Sequence, residues 1–126
     1  MAHLESLLHV QVPVKNLEEA IVWYCNHLGF SLQARYRTSA FLALSAGPTL
    51  MIWETDEQTS TTFTVDHQPM PVFLYTTSDV HALHDYLLAH EVSITHYQND
   101  GFGWVLKFFD PSGNMWGVIQ KNIFKS

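Results

Sequence analysis

The chain has 126 residues, of which 47% are apolar and 13% aromatic, enough for one compact unit with a real core. Its formal charge is −6, with only six Lys and Arg residues, which argues against nucleic-acid or anionic-membrane partners because both require clustered positive charge. No apolar run approaches the roughly 18 residues of a membrane span, and no secretory signal is visible at the N-terminus. The single cysteine, Cys25, allows no internal disulfide, so we expect a cytoplasmic location.

The start of the chain predicts a strand followed by a helix. Apolar residues alternate over Leu7–Val14, which indicates a strand with His9 and Gln11 on the opposite face. Asn16 with Glu19 three residues later is a capping-box pattern.

Apolar residues at helical spacing then predict a helix over Leu17–His27, and Gly29 supplies its stop. Three short strands are predicted to follow: Phe30–Arg37, Ala40–Ser45 and Thr49–Glu54.

A polar, proline-containing stretch at about 56–71 predicts a connecting arm, with extended structure around Phe63–Val65. The first order of elements then repeats. A strand at Val72–Thr77 leads to a helix capped by Asp79 or Ser78. The last three strands are predicted at Ser93–Tyr97, Gly103–Phe109 and Met115–Gln120.

The two copies start about 63 residues apart, and an internal repeat of this kind defines an architecture. We therefore predict an α+β fold: one domain of two tandem βαβββ modules, at about 4–55 and 72–121. We expect the modules to form a curved, partly open mixed β-sheet barrel around a cavity, with the helices outside.

Two motifs carry a family resemblance. The stretch Leu8–Leu17 with Trp23–Phe30 is similar to an opening strand and helix that ends in Leu-Gly-Phe. Phe108–Gly117 resembles a closing Phe-x-Asp-Pro-x-Gly-Asn hairpin. Over about residues 4–121 the chain thus resembles the vicinal-oxygen-chelate superfamily of glyoxalase I, bleomycin-resistance proteins, fosfomycin-resistance enzymes and extradiol dioxygenases. Glu91 departs from the pattern, since the family usually has Gly there, and the second helix could therefore end differently.

The resemblance implies four places for metal ligands, two in each module. His9 occupies the first, and the second falls on Trp53 or Glu54, because a one-residue slip of the strand reverses the face. The third and fourth places fall on Val72 and Gly117, whose side chains bind no metal. At most two protein ligands remain, fewer than the three or so of an open catalytic zinc site. We therefore predict neither a metal nor a cofactor.

Aromatic residues on the predicted inner strands suit a flat or apolar ligand. The predicted ligand-binding residues are His9, Gln11, Trp53, Glu54, Phe102 and Trp104. Packing of the helices onto the sheets is the alternative role for Trp53 and Trp104, and it is the expected role for Trp116. We interpret Asn99–Gly101 as a flap beside Phe102.

The remaining histidines are less informative. His67 and His96 could replace a missing ligand, although no spacing supports this. His81 and His84 are predicted to lie on the solvated face of the second helix.

The sequence is compatible with three functions. The preferred one is a metal-free small-molecule binding protein of the bleomycin-resistance type, which by resemblance we expect to be a homodimer. The second is a divergent lyase, isomerase or dioxygenase that uses His9 and Glu54, either with a borrowed ligand or with His9 as a general base. The third is an interaction module.

Overall fold

A computed structural model describes residues 3–122. Over this range the chain forms two α-helices and ten β-strands. It divides into two compact units at the bond between Ser60 and Thr61, called here unit 1 and unit 2. Neither described helix is long and apolar enough to cross a membrane.

Unit 1 is one four-stranded sheet with one helix. Its elements are β1 (His9–Val14), α1 (Leu17–Leu28), β2 (Ser31–Arg35), β3 (Ser39–Ala43) and β4 (Thr49–Glu54). The strand order is β1-β4-β3-β2. Strands β1 and β4 run parallel, while β3 is antiparallel to both of its neighbours.

Helix α1 begins and ends as its sequence predicts. The Asn16 side chain accepts a hydrogen bond from the Glu19 N–H at 2.9 Å, which satisfies one of the unpaired amides of the first turn. Gly29 follows the helix with φ +80°, a left-handed geometry that glycine adopts without strain. The apolar stripe of α1 and one face of the sheet form the core of unit 1: Leu17, Ala20, Ile21, Tyr24, Val12, Val14, Ala40, Leu42, Leu50 and Ile52.

Unit 2 repeats this arrangement and adds a hairpin. Its elements are β5 (Phe63–Val65), β6 (Gln68–Met70), β7 (Leu74–Thr76), α2 (Val80–Ala89), β8 (Ile94–Asn99), β9 (Gly103–Phe109) and β10 (Met115–Lys121). The main sheet has the order β7-β10-β9-β8. Parallel strands β7 and β10 correspond to β1 and β4 of unit 1.

The turn between β9 and β10 is held by a buried carboxylate. One oxygen of Asp110 accepts the N–H groups of Ser112 and Asn114, both at 2.9 Å. The other accepts the Asn114 side-chain amide at 2.8 Å and the Trp116 indole N–H at 3.4 Å. Trp116 itself is 1% exposed, which confirms its predicted place in the core.

The arm between the predicted modules contains the hairpin β5–β6, which the sequence indicated only in part. Its two turn residues, Asp66 and His67, have φ +51° and +65°. Two positive φ angles in a two-residue loop are typical of a type I′ turn, normally built from Asn-Gly or Asp-Gly. Asp and His are among the residues that adopt this geometry more readily than most others, so the turn forms without glycine.

Helix α2 ends with a strained residue. Glu91 adopts φ +60°, in the left-handed region where a side chain costs roughly 1 kcal/mol. The sequence raised the possibility of a different helix end. In the structure the residue with left-handed geometry still lies two positions after the end of α2, and that residue is Glu91.

The α+β fold and the two βαβββ modules are confirmed, within two residues at most element ends. Their predicted closure around a cavity stays a prediction.

Candidate functional site

One face of the unit 1 sheet gathers three of the predicted site residues. His9, Gln11 and Pro13 pair in register with Thr49, Met51 and Trp53 of the parallel strand β4. Side chains at paired positions lie on the same face, and alternate residues lie on opposite faces. His9, Gln11 and Trp53 therefore share the face that points away from α1, called here the aromatic face.

Polar and ring contacts order the aromatic face. The Trp53 indole N–H donates to the Gln11 side-chain oxygen at 2.7 Å, and 41% of Trp53 stays exposed. The His9 ring meets Phe41 edge to face, with 5.6 Å between centroids. Phe41 in turn meets Tyr36 at 6.2 Å. The aromatic face thus presents aromatic side chains, among which the Trp53 indole is held by its hydrogen bond to Gln11.

Glu54 lies on the opposite face of the same sheet. It follows Trp53 in β4, so strand alternation turns it toward α1. Its Oε2 accepts a hydrogen bond from the Leu17 N–H at 2.8 Å, at the positive end of the helix dipole. The register thus places Trp53, not Glu54, on the same face as His9, and the structure does not bring His9 and Glu54 together.

The remaining two ligand places of the family lie in unit 2. Val72 is exposed and precedes β7. At Gly117 an added Cβ would clash with Leu74 Cδ2 and lie 2.9 Å from Pro71 Cγ, so a side chain there would require its neighbours to shift. Apolar atoms therefore occupy the space that a fourth ligand would need.

A metal site with four protein ligands does not fit these residues. Val72 and Gly117 offer no donor, and the carboxylate of Glu54 is on the wrong face for His9. Across residues 3–122 as a whole, no three His, Cys, Asp or Glu side chains lie close enough together to hold a metal ion.

Trp104 belongs to the helix side of unit 2. It pairs with Gln120, whose side chain reaches the first amide of α2. Its ring meets His81 of α2 at 4.7 Å and Tyr97 at 5.2 Å. Tyr97 also stacks on His84 at 3.7 Å. Of the two roles weighed for Trp104, its contacts support helix packing over a ligand contact.

Phe102 lies at the tip of the β8–β9 hairpin and is 55% exposed. The loop is closed by a hydrogen bond from the Asp100 N–H to the Gly103 carbonyl at 3.0 Å. Asn122 secures it further, donating to the Gly101 carbonyl at 2.9 Å and accepting from Asn99 at 3.1 Å. These bonds favour a fixed tip over the predicted flap.

A polar cluster stands on the face of the unit 2 sheet away from α2. His96 Nε2 lies 3.0 Å from Asp100 Oδ2, and the Gln98 amide donates to Asp100 Oδ1 at 2.6 Å. Hydrogen bonds from Gln98 and His96, with the charges of His96 and Lys107, lower the pKa of Asp100 below its ordinary value of 3.8. Asp100 is therefore ionised at neutral pH.

Sequence reasoning did not single out several residues on these faces. The place of Phe41 on the aromatic face follows only from the register of β3, which pairs Phe41 with Met51. Tyr36 joins this face through its ring contact with Phe41. His96 was considered only as a spare metal ligand. The four-residue spacing between His96 and Asp100 is only a weak sequence signal for their contact.

The family model described as Glyoxalase/Bleomycin resistance protein/Dioxygenase superfamily matches residues 6–118. A sequence search among curated proteins finds no match.

Solved structures share the fold. TnmS3, an antibiotic binding protein from Streptomyces sp. CB03234, superimposes with a TM-score of 0.77 at 23% identity, covering 97% of this chain and 100% of that one. The fosfomycin resistance protein FosX from Listeria monocytogenes gives 0.75 at 18% identity, covering 95% and 96%. Lactoylglutathione lyase from Agrobacterium tumefaciens gives 0.72 at 15% identity, covering 94% and 96%.

At these identities the likenesses establish the fold, which binding proteins and enzymes share. The family model covers nearly the whole chain and agrees with the two motifs that suggested the resemblance. The chain belongs to the glyoxalase/bleomycin resistance protein/dioxygenase superfamily.

Proposed function

We propose that the chain is a small-molecule binding protein of the glyoxalase/bleomycin-resistance type that holds a flat or aromatic ligand without an intact metal site. The observation that carries this proposal is the aromatic face of unit 1. There Trp53 is fixed by Gln11 at 2.7 Å yet remains 41% exposed.

A fixed, exposed indole suits ligand stacking for a physical reason. Aromatic pairs contribute about 0.5–1.5 kcal/mol beyond the area they bury, and a ring already held in place loses little side-chain entropy on binding. His9 and Phe41 extend the aromatic surface along the same face. In unit 2, Phe102 is proposed as a separate ligand contact.

The printed descriptions of similar proteins agree with a binding role. TnmS3 is described as an antibiotic binding protein, and FosX as a fosfomycin resistance protein. The residues at the family's metal-ligand places support a binding protein over a metal enzyme, because two of the four places, Val72 and Gly117, carry no side chain that can donate to a metal. The alternative of a divergent lyase, isomerase or dioxygenase using His9 with Glu54 has less support, because these side chains lie on opposite faces of one sheet.

We also propose a homodimer. Three leucines in the segment before the edge strand β1, Leu4, Leu7 and Leu8, are exposed. Exposed apolar side chains at a sheet edge favour association with another chain. Light scattering should give twice the chain mass of 14.4 kDa. A cytoplasmic location is proposed on the free cysteine, Cys25.

Tryptophan fluorescence tests the binding proposal. A panel of naphthalene and quinoline derivatives is titrated into the protein, and we expect saturable quenching by at least one of them. Trp53→Phe should remove most of that quenching. The matched control is Trp104→Phe, whose ring packs against α2 and whose loss should leave the quenching in place. Equal quenching in wild type and Trp53→Phe would contradict the proposed site.

A further inference from the structure

Going beyond the proposed function, we propose that unit 2 carries an acid–base binding site for a small molecule with an acidic hydroxyl, such as a phenol. In this site His96 accepts the hydroxyl proton and Lys107 stabilises the oxyanion. The inference rests on a His–Asp pair and a cation that share one sheet face.

Strand register places these groups on the same face. His96 of β8 pairs with Lys107 of β9. The residue after His96 is Tyr97, which stacks on His84 of α2, so alternation turns His96 to the other face. His96 and Lys107 therefore both point away from α2.

Asp100 fixes the orientation and the tautomer of the His96 imidazole. Its carboxylate is ionised, because hydrogen bonds from Gln98 and His96 lower its pKa. An ionised carboxylate only accepts hydrogen bonds, so His96 Nε2, at 3.0 Å, must carry the proton. In that tautomer the lone pair lies on Nδ1, and Nδ1 has no hydrogen-bond partner among residues 3–122.

Lys107 supplies a positive charge with little neutralising contact. Its ammonium group makes one polar contact within residues 3–122, to the Met70 sulfur at 4.0 Å, and a thioether is a weak acceptor. The ammonium remains able to pair with an incoming anion. Its field already reaches Asp100, whose pKa it helps to lower.

The pair is sheltered but accessible. The side chains of His96 and Asp100 are 27% and 28% exposed. Partial burial strengthens the interaction between charges relative to open solvent. The exposed fraction leaves a route for a small molecule to reach Nδ1.

The proposed proton transfer needs no group from outside the site. The ligand O–H bond breaks, its electron pair stays on oxygen, and an N–H bond forms at His96 Nδ1. The imidazolium is stabilised by Asp100, and the phenolate by Lys107. The titratable and charged groups that face His96 are Asp100 from the hairpin turn and Lys107 from β9. A carboxylic acid is a poorer match because it is already ionised at neutral pH and therefore has no proton for His96 to accept.

The test uses 4-nitrophenol, whose phenolate absorbs visible light whereas its phenol form does not. The protein is titrated into the probe at about pH 7, where an ordinary imidazole is mostly neutral and the probe still contains its phenol form. We expect the phenolate band to grow, because a nearby cation favours ionisation, with an ionisation constant raised about tenfold. Calorimetry in buffers of different ionisation enthalpy should show little proton release, since His96 keeps the proton.

Three variants separate the roles. Lys107→Met should lose the spectral shift. His96→Gln should weaken it, and any phenolate that still binds should release its proton to the buffer. The matched control, His84→Gln, alters a histidine on the α2 side and should behave as wild type. Circular dichroism confirms that each variant is folded.

A wild-type protein that leaves the probe spectrum unchanged would overturn the proposal. An unchanged shift in both His96→Gln and Lys107→Met would do so as well. These outcomes are independent of the binding proposal for unit 1, because Trp53→Phe is expected to leave the phenolate shift intact.

Discussion

The Glu54 carboxylate accepts a hydrogen bond from the Leu17 N–H at 2.8 Å, at the first residue of α1. Unit 2 repeats the relationship: the Gln120 side-chain oxygen accepts from the Val80 N–H at 2.6 Å, at the first residue of α2. Each module thus uses a side chain from its last strand to satisfy a helix amide that would otherwise be unpaired. In this chain a residue type suited to metal binding serves the helix terminus.

Removing Glu54 should therefore lower stability and leave ligand binding unchanged. Glu54→Ala loses both the hydrogen bond and the favourable charge at the helix N-terminus, at a cost of about 1 kcal/mol. Glu54→Gln keeps the bond, as Gln120 does, and should cost less. Urea unfolding measures both variants. Loss of aromatic-ligand binding in a folded Glu54→Gln protein would instead place the carboxylate in the binding site.

Restoring a carboxylate at the fourth ligand place should destabilise the protein. Gly117→Glu forces a side chain against Leu74 and Pro71, and overpacking of this kind costs about 1–3 kcal/mol. Adding Leu74→Ala should recover part of the loss. Thermal unfolding of the single and double variants checks this. A Gly117→Glu protein as stable as wild type would show that the space is open.

The closing turn should depend on Asp110. Asp110→Ala removes the carboxylate that accepts hydrogen bonds from Ser112, Asn114 and Trp116, and buried donors on Asn114 and Trp116 lose this acceptor. We expect a loss of about 3 kcal/mol. Asp110→Asn keeps one acceptor oxygen and should lie between wild type and alanine. Denaturant midpoints decide the order, and equal midpoints for all three proteins would refute the network's role.

Glu91→Gly should stabilise the protein. Glu91 holds φ +60°, and glycine removes a steric cost of about 1 kcal/mol there. The reverse change, Gly29→Ala at φ +80°, should destabilise by a similar amount. Free energies of unfolding for the pair measure the effect. A loss of stability in Glu91→Gly would mean that the glutamate side chain makes a compensating contact.

Asp100 should make stability depend on pH at the acid end. Because hydrogen bonds from Gln98 and His96 hold its folded-state pKa below 3.8, its contribution is fully present above that value. It is lost as the pH falls through the folded-state pKa. The difference in urea midpoint between wild type and Asp100→Asn should shrink below pH 3.8. A difference that grows on acidification would have the wrong sign.

Much of the fold was predictable because local signals and the repeat agree. Asn16 and Asp79 cap the two helices as expected, each accepting from an amide three residues on. The hairpin β5–β6 was only partly predicted, since its turn uses Asp66 and His67 where the usual signal is a glycine.

The site was less predictable because it depends on strand register. Sequence alone left Trp53 and Glu54 as alternatives for one place, and a one-residue slip exchanges their faces. The pairing of Trp53 with Pro13 and Ser39 decides it. Trp104 shows the same limit, since its side of the sheet follows only from its pairing with Gln120.

The most direct test of the central claim is Trp53 fluorescence in protein treated with a chelator. We expect an aromatic ligand to quench the emission saturably in the chelated protein and in Trp104→Phe, and we expect Trp53→Phe to abolish the response. Binding that disappears on chelation and returns with a divalent metal would contradict the claim that this face works without a metal site.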